Sequence, residues 1–345
     1  PLPHGGGIYN TVGSPRSGMR DPIRAVMLDP DWFGDVDAER DHFQDLLDDV
    51  VVEGIDCEEH EIPDRVGEAD LLLSHYTGVS ADVMDATGCQ VVSRYATGID
   101  GIDVEAATER GVRVTRVPTY CNDEVGTHIV SLAMALVRGL PMYDAAAEDG
   151  GWEWDRAAPI RPPERQTFGF LAFGNKARAA ADRASALGFD VAAHDPYLDD
   201  DDVEALGATP VGFEELLDTA DVLSVNTPLT EETEGMIDAD AFARLDDDAV
   251  LVNTSRGRVV DETALVDALD AGELRGAGLD VLAQEPPEPD NPLLGRDDVI
   301  VTPHAAWYST GSAATLRRRG TEIAVAALRG EEVDGLVNPD ALGNA

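Results

Sequence analysis

Phe168-Gly169-Phe170-Leu171-Ala172-Phe173-Gly174-Asn175-Lys176-Ala177 reads as a strand that runs into a tight turn and then a helix. This is the pattern of a dinucleotide-binding turn. Glycines there let the backbone approach a pyrophosphate, and helix N–H groups hold the anion. Gly174 fills the second glycine position, and Ala177 fills the third, where a small residue lets the helix pack closely. Ala172 stands in the first position. The expectation is an alanine that makes the turn without positive φ, or a turn of slightly different shape. Twenty-one residues after Gly174, Asp195 ends the next apolar run in His194-Asp195-Pro196-Tyr197. An acid at that spacing suits the adenosine ribose hydroxyls and repels a 2′-phosphate, which favours NAD over NADP.

Around this turn, short apolar runs alternate with helical stretches. Strands are expected at Phe168–Phe173, Asp190–His194, Asp221–Asn226, Ala249–Asn253, Gly276–Asp280 and Val299–Thr302. Helices are expected near Lys176–Leu187, Glu214–Thr219, Asp238–Arg244 and Glu262–Asp270. That is the order of a doubly wound dinucleotide-binding domain. Upstream lies a shorter series of the same kind. Its strands are Ile23–Leu28, Asp70–Ser74, Gln90–Tyr95 and Val112–Thr115; its helices are Asp37–Asp48, Ser80–Ala86 and Val104–Arg110. Asn122–Arg138 reads as one long helix capped by Asn122 and Asp123. The Gly150-Gly151-Trp152-Glu153-Trp154 stretch and Pro159–Pro163 read as a loop or arm, whose tryptophans are either core or contacts for a partner subunit. The last helix, Ser309–Arg329, is expected to pack back on the first domain. That domain is then discontinuous, 22–119 with 306–345, around a cofactor domain at 120–305, and the active site falls in the cleft between domains.

Three further segments carry chemistry. Arg256 follows a strand in Val252-Asn253-Thr254-Ser255-Arg256-Gly257, Glu285 follows another in Asp280-Val281-Leu282-Ala283-Gln284-Glu285, and His304 a third in Thr302-Pro303-His304-Ala305. Strand C-termini line the ligand crevice of an open α/β sheet. A 2-keto acid presents a carboxylate and a polar carbonyl. A guanidinium binds the first and polarises the second. Hydride arriving at C2 leaves an alkoxide that needs a proton; histidine is the natural acid near neutral pH, with a carboxylate to fix its tautomer.

The chain has 345 residues, 43% hydrophobic and 27% charged, a globular composition for two domains. Its net charge is −43, from 68 acidic and 25 basic residues, and Lys176 is its one lysine. The acid is spread along the chain, so it describes a folded anionic surface rather than a disordered tail. Such a surface suits a very salty cytoplasm and is a poor partner for nucleic acid or anionic membranes. No apolar run reaches the roughly 18 residues of a membrane span. Cys57, Cys89 and Cys121 are too few and scattered for a disulfide framework or a zinc site, and no metal is expected. Residues 1–21 read as a leader or an added extension.

The combined segments resemble the D-isomer-specific 2-hydroxyacid dehydrogenases. The resemblance runs from about Asp70 to Arg329 and includes Arg94-Tyr95-Ala96-Thr97-Gly98-Ile99-Asp100, Asp123-Glu124-Val125 and Thr227-Pro228-Leu229-Thr230. It implies an α/β fold of two doubly wound domains, a Rossmann domain for NAD and a discontinuous flavodoxin-like domain for substrate. It implies catalytic roles for Arg256, Glu285 and His304. Cofactor contacts follow at Ala172, Phe173, Gly174, Asn175, Lys176, Asp195, Thr227, Thr254 and Asp280, with Thr127 as a further candidate. Ser74-His75-Tyr76-Thr77-Gly78-Val79 is similar to the family's substrate-carboxylate loop, whose backbone N–H groups hold the acid. Tyr76, Thr77, Gly78, Thr97 and Gly98 are therefore substrate candidates. His304-Ala305-Ala306-Trp307 looks like the branch containing the C-terminal binding proteins. Trp307 either walls the substrate pocket or fills an interface between domains. A homodimer paired through the cofactor domains is implied.

The expected activity is a D-2-hydroxyacid dehydrogenase acting on a small-molecule acid. D-3-phosphoglycerate dehydrogenase and glyoxylate or hydroxypyruvate reductase are alternatives. Ser74, where phosphoglycerate dehydrogenases usually carry arginine, and the lack of a domain after Ala345 weigh against the first. An NAD-sensing transcriptional scaffold is the alternative from another class, and the intact Arg, Glu and His set weighs against it. The charge generates a test. Cofactor and substrate are anions, and long-range repulsion is screened before short contacts are. Folding and turnover should both rise between about 0.05 and 3 M KCl, measured by circular dichroism and NADH oxidation. Equal folding and activity across that range would remove the salt adaptation.

Overall fold

In a computed structural model, which describes residues 22–342, the chain divides into two compact units. One runs up to Tyr120 and resumes at Ala313; the other is Cys121–Ser312. The expected leader, 1–21, lies outside the described residues.

The first unit holds a parallel five-stranded sheet. Its strands are β1 (Ile23–Met27), β2 (Val50–Gly54), β3 (Leu71–Ser74), β4 (Val91–Arg94) and β5 (Arg113–Arg116), in the order β2-β1-β3-β4-β5. This is the flavodoxin-like order, with its switch point between β1 and β3. Strands β3 and β4 are buried at every position, as parallel strands covered on both faces must be. One face packs Val26, Leu72, Val92 and Val114 against Ile62, Val66, Val83 and Met84. The helix Thr310–Leu328 belongs to this unit from Ala313 onward. Gly320 lies against the fully buried Tyr95 ring, and the Tyr95 hydroxyl meets Thr321 Oγ1 at 2.9 Å. One turn earlier, Arg317 donates to the buried carboxylate of Glu39 at 2.8 and 2.6 Å.

The second unit holds seven parallel strands: β6 (Thr167–Leu171), β7 (Asp190–His194), β8 (Thr209–Pro210), β9 (Val222–Val225), β10 (Val250–Asn253), β11 (Gly276–Leu279) and β12 (Val299–Val301). Their order is β12-β11-β10-β9-β6-β7-β8, the Rossmann arrangement with one added strand, and its switch point lies between β6 and β9. The helix Asn122–Val137 packs on Asn175–Ala186, where a Cβ on Gly126 would meet Ala179 backbone at 2.8 Å.

Several expectations need correction. β2 was not expected: Val50-Val51-Val52-Glu53-Gly54 is a short edge strand with a single buried residue, Val52, and its three valines directly follow the acidic end of the expected helix Asp37–Asp48. The helices Leu140–Glu148 and Asp200–Ala205 were not expected either, the second because it lies in an acidic run. Asn122 and Asp123 are not caps. Cys121 is the N-cap, without a side-chain cap bond, and Asp123 and Glu124 face the positive end of the helix from its first turn. The segment 306–312 groups with the cofactor unit rather than the other, because its backbone is bonded to Asp280.

A Cβ on Gly320 would lie 2.6 Å from the Tyr95 ring. Gly320→Ala should therefore lower stability by about 1–3 kcal/mol, the usual cost of overpacking, read as a fall in melting temperature. An unchanged melting point would mean that this contact relaxes freely.

Candidate active site

The turn after β6 is built as a nucleotide cradle. Ala172 has φ +67, in the left-handed region. The expectation was an alanine without positive φ or a turn of slightly different shape. Instead the turn keeps its glycine-like shape and carries a Cβ at a cost on the order of 1–2 kcal/mol. Phe173 is fully buried, so only its backbone faces the turn. Its N–H donates to Asp195 Oδ2 at 2.8 Å, and Asp195 Oδ1 accepts the Tyr197 N–H at 2.9 Å. Each oxygen keeps acceptor capacity for a hydroxyl donor. Gly174 is the N-cap of Asn175–Ala186, and a Cβ there would meet nothing within 4 Å. This open approach to a helix N-terminus, with exposed Asn175, half-buried Lys176 and no acid in the first turn, fits a pyrophosphate. Arg178, which sequence reasoning missed, reaches back to the same turn, with Nε donating to Phe173 O at 2.7 Å. Its signal was a second cation in the first turns of a helix from an acidic chain.

The other cofactor candidates follow adjacent strands. Buried Thr227 lies after β9, half-buried Thr254 after β10 and Asp280 after β11. Thr127 sits on the helix Asn122–Val137, and its hydroxyl donates to Asp123 O at 2.7 Å. Asp280 departs most from expectation. It is 2% exposed and spends its carboxylate on protein: Oδ1 accepts the Thr302 hydroxyl at 2.6 Å and the Ala305 N–H at 2.8 Å, and Oδ2 accepts the Ala306 N–H at 2.9 Å. A carboxylate so engaged anchors the loop after β12.

Three catalytic candidates come together at the ends of β10, β11 and β12. Fully buried Asn253 shapes the first loop by accepting from Ser255 N and Oγ and donating to Arg256 O. Gly257 then passes so close to the second loop that a Cβ would lie 1.9 Å from Leu282 C. Glu285 Oε1 accepts the Leu282 N–H at 3.0 Å, and its Oε2 lies 2.8 Å from His304 Nδ1. His304 itself has φ +50, a sparsely populated backbone state costing on the order of 1–3 kcal/mol. Its N–H, bonded to Asp280 O at 2.8 Å and Thr302 O at 3.0 Å, keeps it there. Burial pushes the Glu285 carboxyl upward. The hydrogen bond and charge of His304, the Leu282 amide and the Arg256 charge outweigh it and hold the group below the usual carboxylate range. Glu285 is thus ionised at neutral and mildly acidic pH. Half-buried Trp307 stands edge-on to Tyr308, with ring centroids 5.6 Å apart, and accepts a bond from Ser312 Oγ at its carbonyl.

In the first unit, Tyr76, Thr77 and Gly78 follow β3, beside Thr97 and Gly98 after β4. The two loops are bonded, with Val79 N–H donating to Gly101 O at 2.9 Å. The expectation that the loop's amides hold a substrate carboxylate needs correction. The amides of His75, Tyr76 and Thr77 all donate to the buried carboxylate of Asp29, so of the three substrate candidates in this loop only Gly78 has an amide outside that set. Arg94, which is buried, donates to Ser74 Oγ at 2.8 Å and Thr77 O at 3.1 Å. A guanidinium therefore lies beside Ser74 after all, delivered from β4. A cavity of about 610 Å³ next to Tyr76 and Thr77 is lined by Asp29, Asp56, Glu58, Glu59 and Glu61, with Arg65 as its one cation.

Comparison with known proteins bears on the family and the fold. A model of the D-isomer specific 2-hydroxyacid dehydrogenase NAD binding domain matches residues 130–306. The glyoxylate reductase of Korarchaeum cryptofilum is 36% identical over 286 residues, which cover 81% of this chain and 86% of that protein. The D-3-phosphoglycerate dehydrogenase of Archaeoglobus fulgidus is also 36% identical, over 68% of this chain but 45% of the relative, so the chain spans about half that protein's length. Among solved structures, the D-lactate dehydrogenase of Aquifex aeolicus complexed with NAD and lactic acid superposes with a TM-score of 0.77 at 25% identity, over 89% of this chain and 96% of that one. With its Rossmann order, its nucleotide turn and these relatives, the chain belongs to the D-isomer-specific 2-hydroxyacid dehydrogenases, a family of NAD-dependent oxidoreductases.

Proposed function

We propose that the chain interconverts a small 2-keto acid and its D-2-hydroxy acid. The observation that carries this is the 2.8 Å contact between His304 Nδ1 and Glu285, beside Arg256, past adjacent strand ends. NAD(H), held by the turn Ala172–Lys176, Asp195, Thr227 and Thr254, supplies or accepts the hydride when bound. Arg256 grips the substrate carboxylate and polarises the C2 carbonyl. Glu285, being ionised, accepts the Nδ1–H of His304, so Nε2 is the nitrogen that gives the proton to the C2 oxygen or takes it back. The anion of Glu285 also balances the imidazolium in between.

Tyr76, Thr77, Gly78, Thr97, Gly98 and Trp307 are proposed to contact substrate. The acid-lined cavity beside Tyr76 and Thr77 supports a keto acid without a second anionic group over a phosphorylated one. A panel of glyoxylate, hydroxypyruvate, pyruvate and phosphohydroxypyruvate would rank them. The Trp307 motif supports a place near the C-terminal-binding-protein branch, and the assembled acid/base pair supports an enzyme rather than a scaffold. Trp152 and Trp154, 92% and 84% exposed, support a homodimer in which these arms of the cofactor units meet the partner. The three cysteines are buried without a disulfide, and no single described helix is long and apolar enough to cross a membrane. With the charge of −43, this supports the cytoplasm of a salt-adapted cell.

NADH should be preferred, because Asp195 stands where a 2′-phosphate would lie; equal kcat/KM with NADPH would refute this. His304→Ala should lower kcat by about 10²–10⁴-fold, the range of placed acid/base groups, while NADH affinity is kept. Near-wild-type turnover would end the assignment. Glu285→Gln should also lower kcat at neutral pH. Because the folded state holds this carboxyl low, the stability it contributes is complete above the ordinary carboxylate pKa and fades as pH falls through the lowered value. The gap in melting temperature between wild type and Glu285→Gln should therefore close on acidification.

A further inference from the structure

We propose that His128 is a positioning residue for the reaction assigned above, acting on His304 through Thr302 and Asp280. The inference rests on that assignment and on one hydrogen-bond chain. His128 lies on the helix Asn122–Val137, with its side chain 24% exposed and Nε2 lying 3.0 Å from Thr302 Oγ1. A hydroxyl has one proton. Thr302 gives that proton to Asp280 Oδ1 at 2.6 Å, so its oxygen accepts from His128, and Nε2 must carry hydrogen. Nε2 also lies 3.5 Å from Asp280 Oδ1, so both contacts draw the imidazole toward the same carboxylate. Asp280 in turn holds the Ala305 and Ala306 amides, the two residues that follow His304.

The chain matters because His304 sits at φ +50, where little besides its surroundings keeps it. The Asp280 carboxylate has a choice of orientations about its side-chain torsions. The Thr302 hydroxyl selects one, and the imidazole selects the hydroxyl's orientation, since an Oγ that accepts from Nε2 points its proton at Oδ1. Removing the imidazole frees the hydroxyl to rotate and loosens the carboxylate. The loop is then less well defined and the reacting ring nitrogen is misplaced. Rates respond steeply to such displacement, with about 10²-fold lost for a misplacement near 1 Å. His128 touches neither reacting atoms nor cofactor in this scheme.

The test uses the full chain in molar salt with NADH and the best keto acid. His128→Ala and Thr302→Val should each lower kcat by roughly 10- to 100-fold and leave the NADH Kd unchanged. The double variant should be no slower than the slower single one. His128→Gln, which returns an N–H donor at similar reach, should recover most of the rate. Amide hydrogen exchange at Ala305 and Ala306 should accelerate in His128→Ala and Thr302→Val and stay protected in His128→Gln. Losses that multiply in the double variant, or wild-type kcat and exchange in His128→Ala, would overturn the proposal. If His128→Ala fails to fold, the near-isosteric Thr302→Val gives the same reading. A wild-type protein inert toward every keto acid would sink the proposed function, while the exchange data would still decide whether His128 holds the loop.

Discussion

A buried carboxylate is costly unless hydrogen bonds compensate it, and removing its partners orphans the donors as well. Asp280 lives under that constraint. It meets it with a hydroxyl from Thr302 and two consecutive amides from the loop that follows. The carboxylate and the loop therefore stabilise each other or neither is stable. His304, with its left-handed backbone and its reach to Glu285, immediately precedes the two anchored amides.

Much of this was readable in the sequence, and the reasons differ by residue. Strands β3, β4, β6, β9 and β10 declare themselves, because strands covered on both faces need unbroken apolar runs. β2 was missed although Val50-Val51-Val52 is itself an apolar run, because it is an edge strand with one buried residue and so short a run does not stand out. Arg256, Glu285 and His304 could be singled out because each follows a strand of a recognisable domain, and the structure does bring Glu285 to His304. The roles of Asp280 and Asp29 were not. A carboxylate that folds onto backbone amides looks the same in sequence as one that meets a ligand, and this chain has 68 acids to choose from. Ala172 shows a third limit. Residue type gave the correct position of the turn, yet Ala172 adopts a left-handed backbone state that an alanine disfavours.

The acid on this chain divides into two populations. Most of the ion pairs involve exposed carboxylates, such as Asp85 with Arg110, Glu234 with Arg258 and Asp218 with Arg244, and pairs of that kind contribute little individually. Glu39, Asp29 and Asp280 are buried, and each is fully engaged by guanidinium, amide or hydroxyl donors. The surface population can change with the salinity in which the protein works. The buried one is tied to the backbone paths of the loops it anchors and cannot.

The bond between Tyr95 and Thr321 closes a separation of 226 residues, and that between Glu39 and Arg317 closes 278. These spans impose an order on biosynthesis. The sheet β1–β5 leaves the ribosome first, but the helix that seals Tyr95 and neutralises Glu39 is made near the end. The intervening unit, Cys121–Ser312, is contiguous and has all its strands before that helix exists. The nascent chain thus carries the sheet β1–β5 without that helix throughout the synthesis of the intervening unit. In such a state exposed apolar surface favours aggregation, so the interval before residue 313 emerges is when this chain most needs a chaperone.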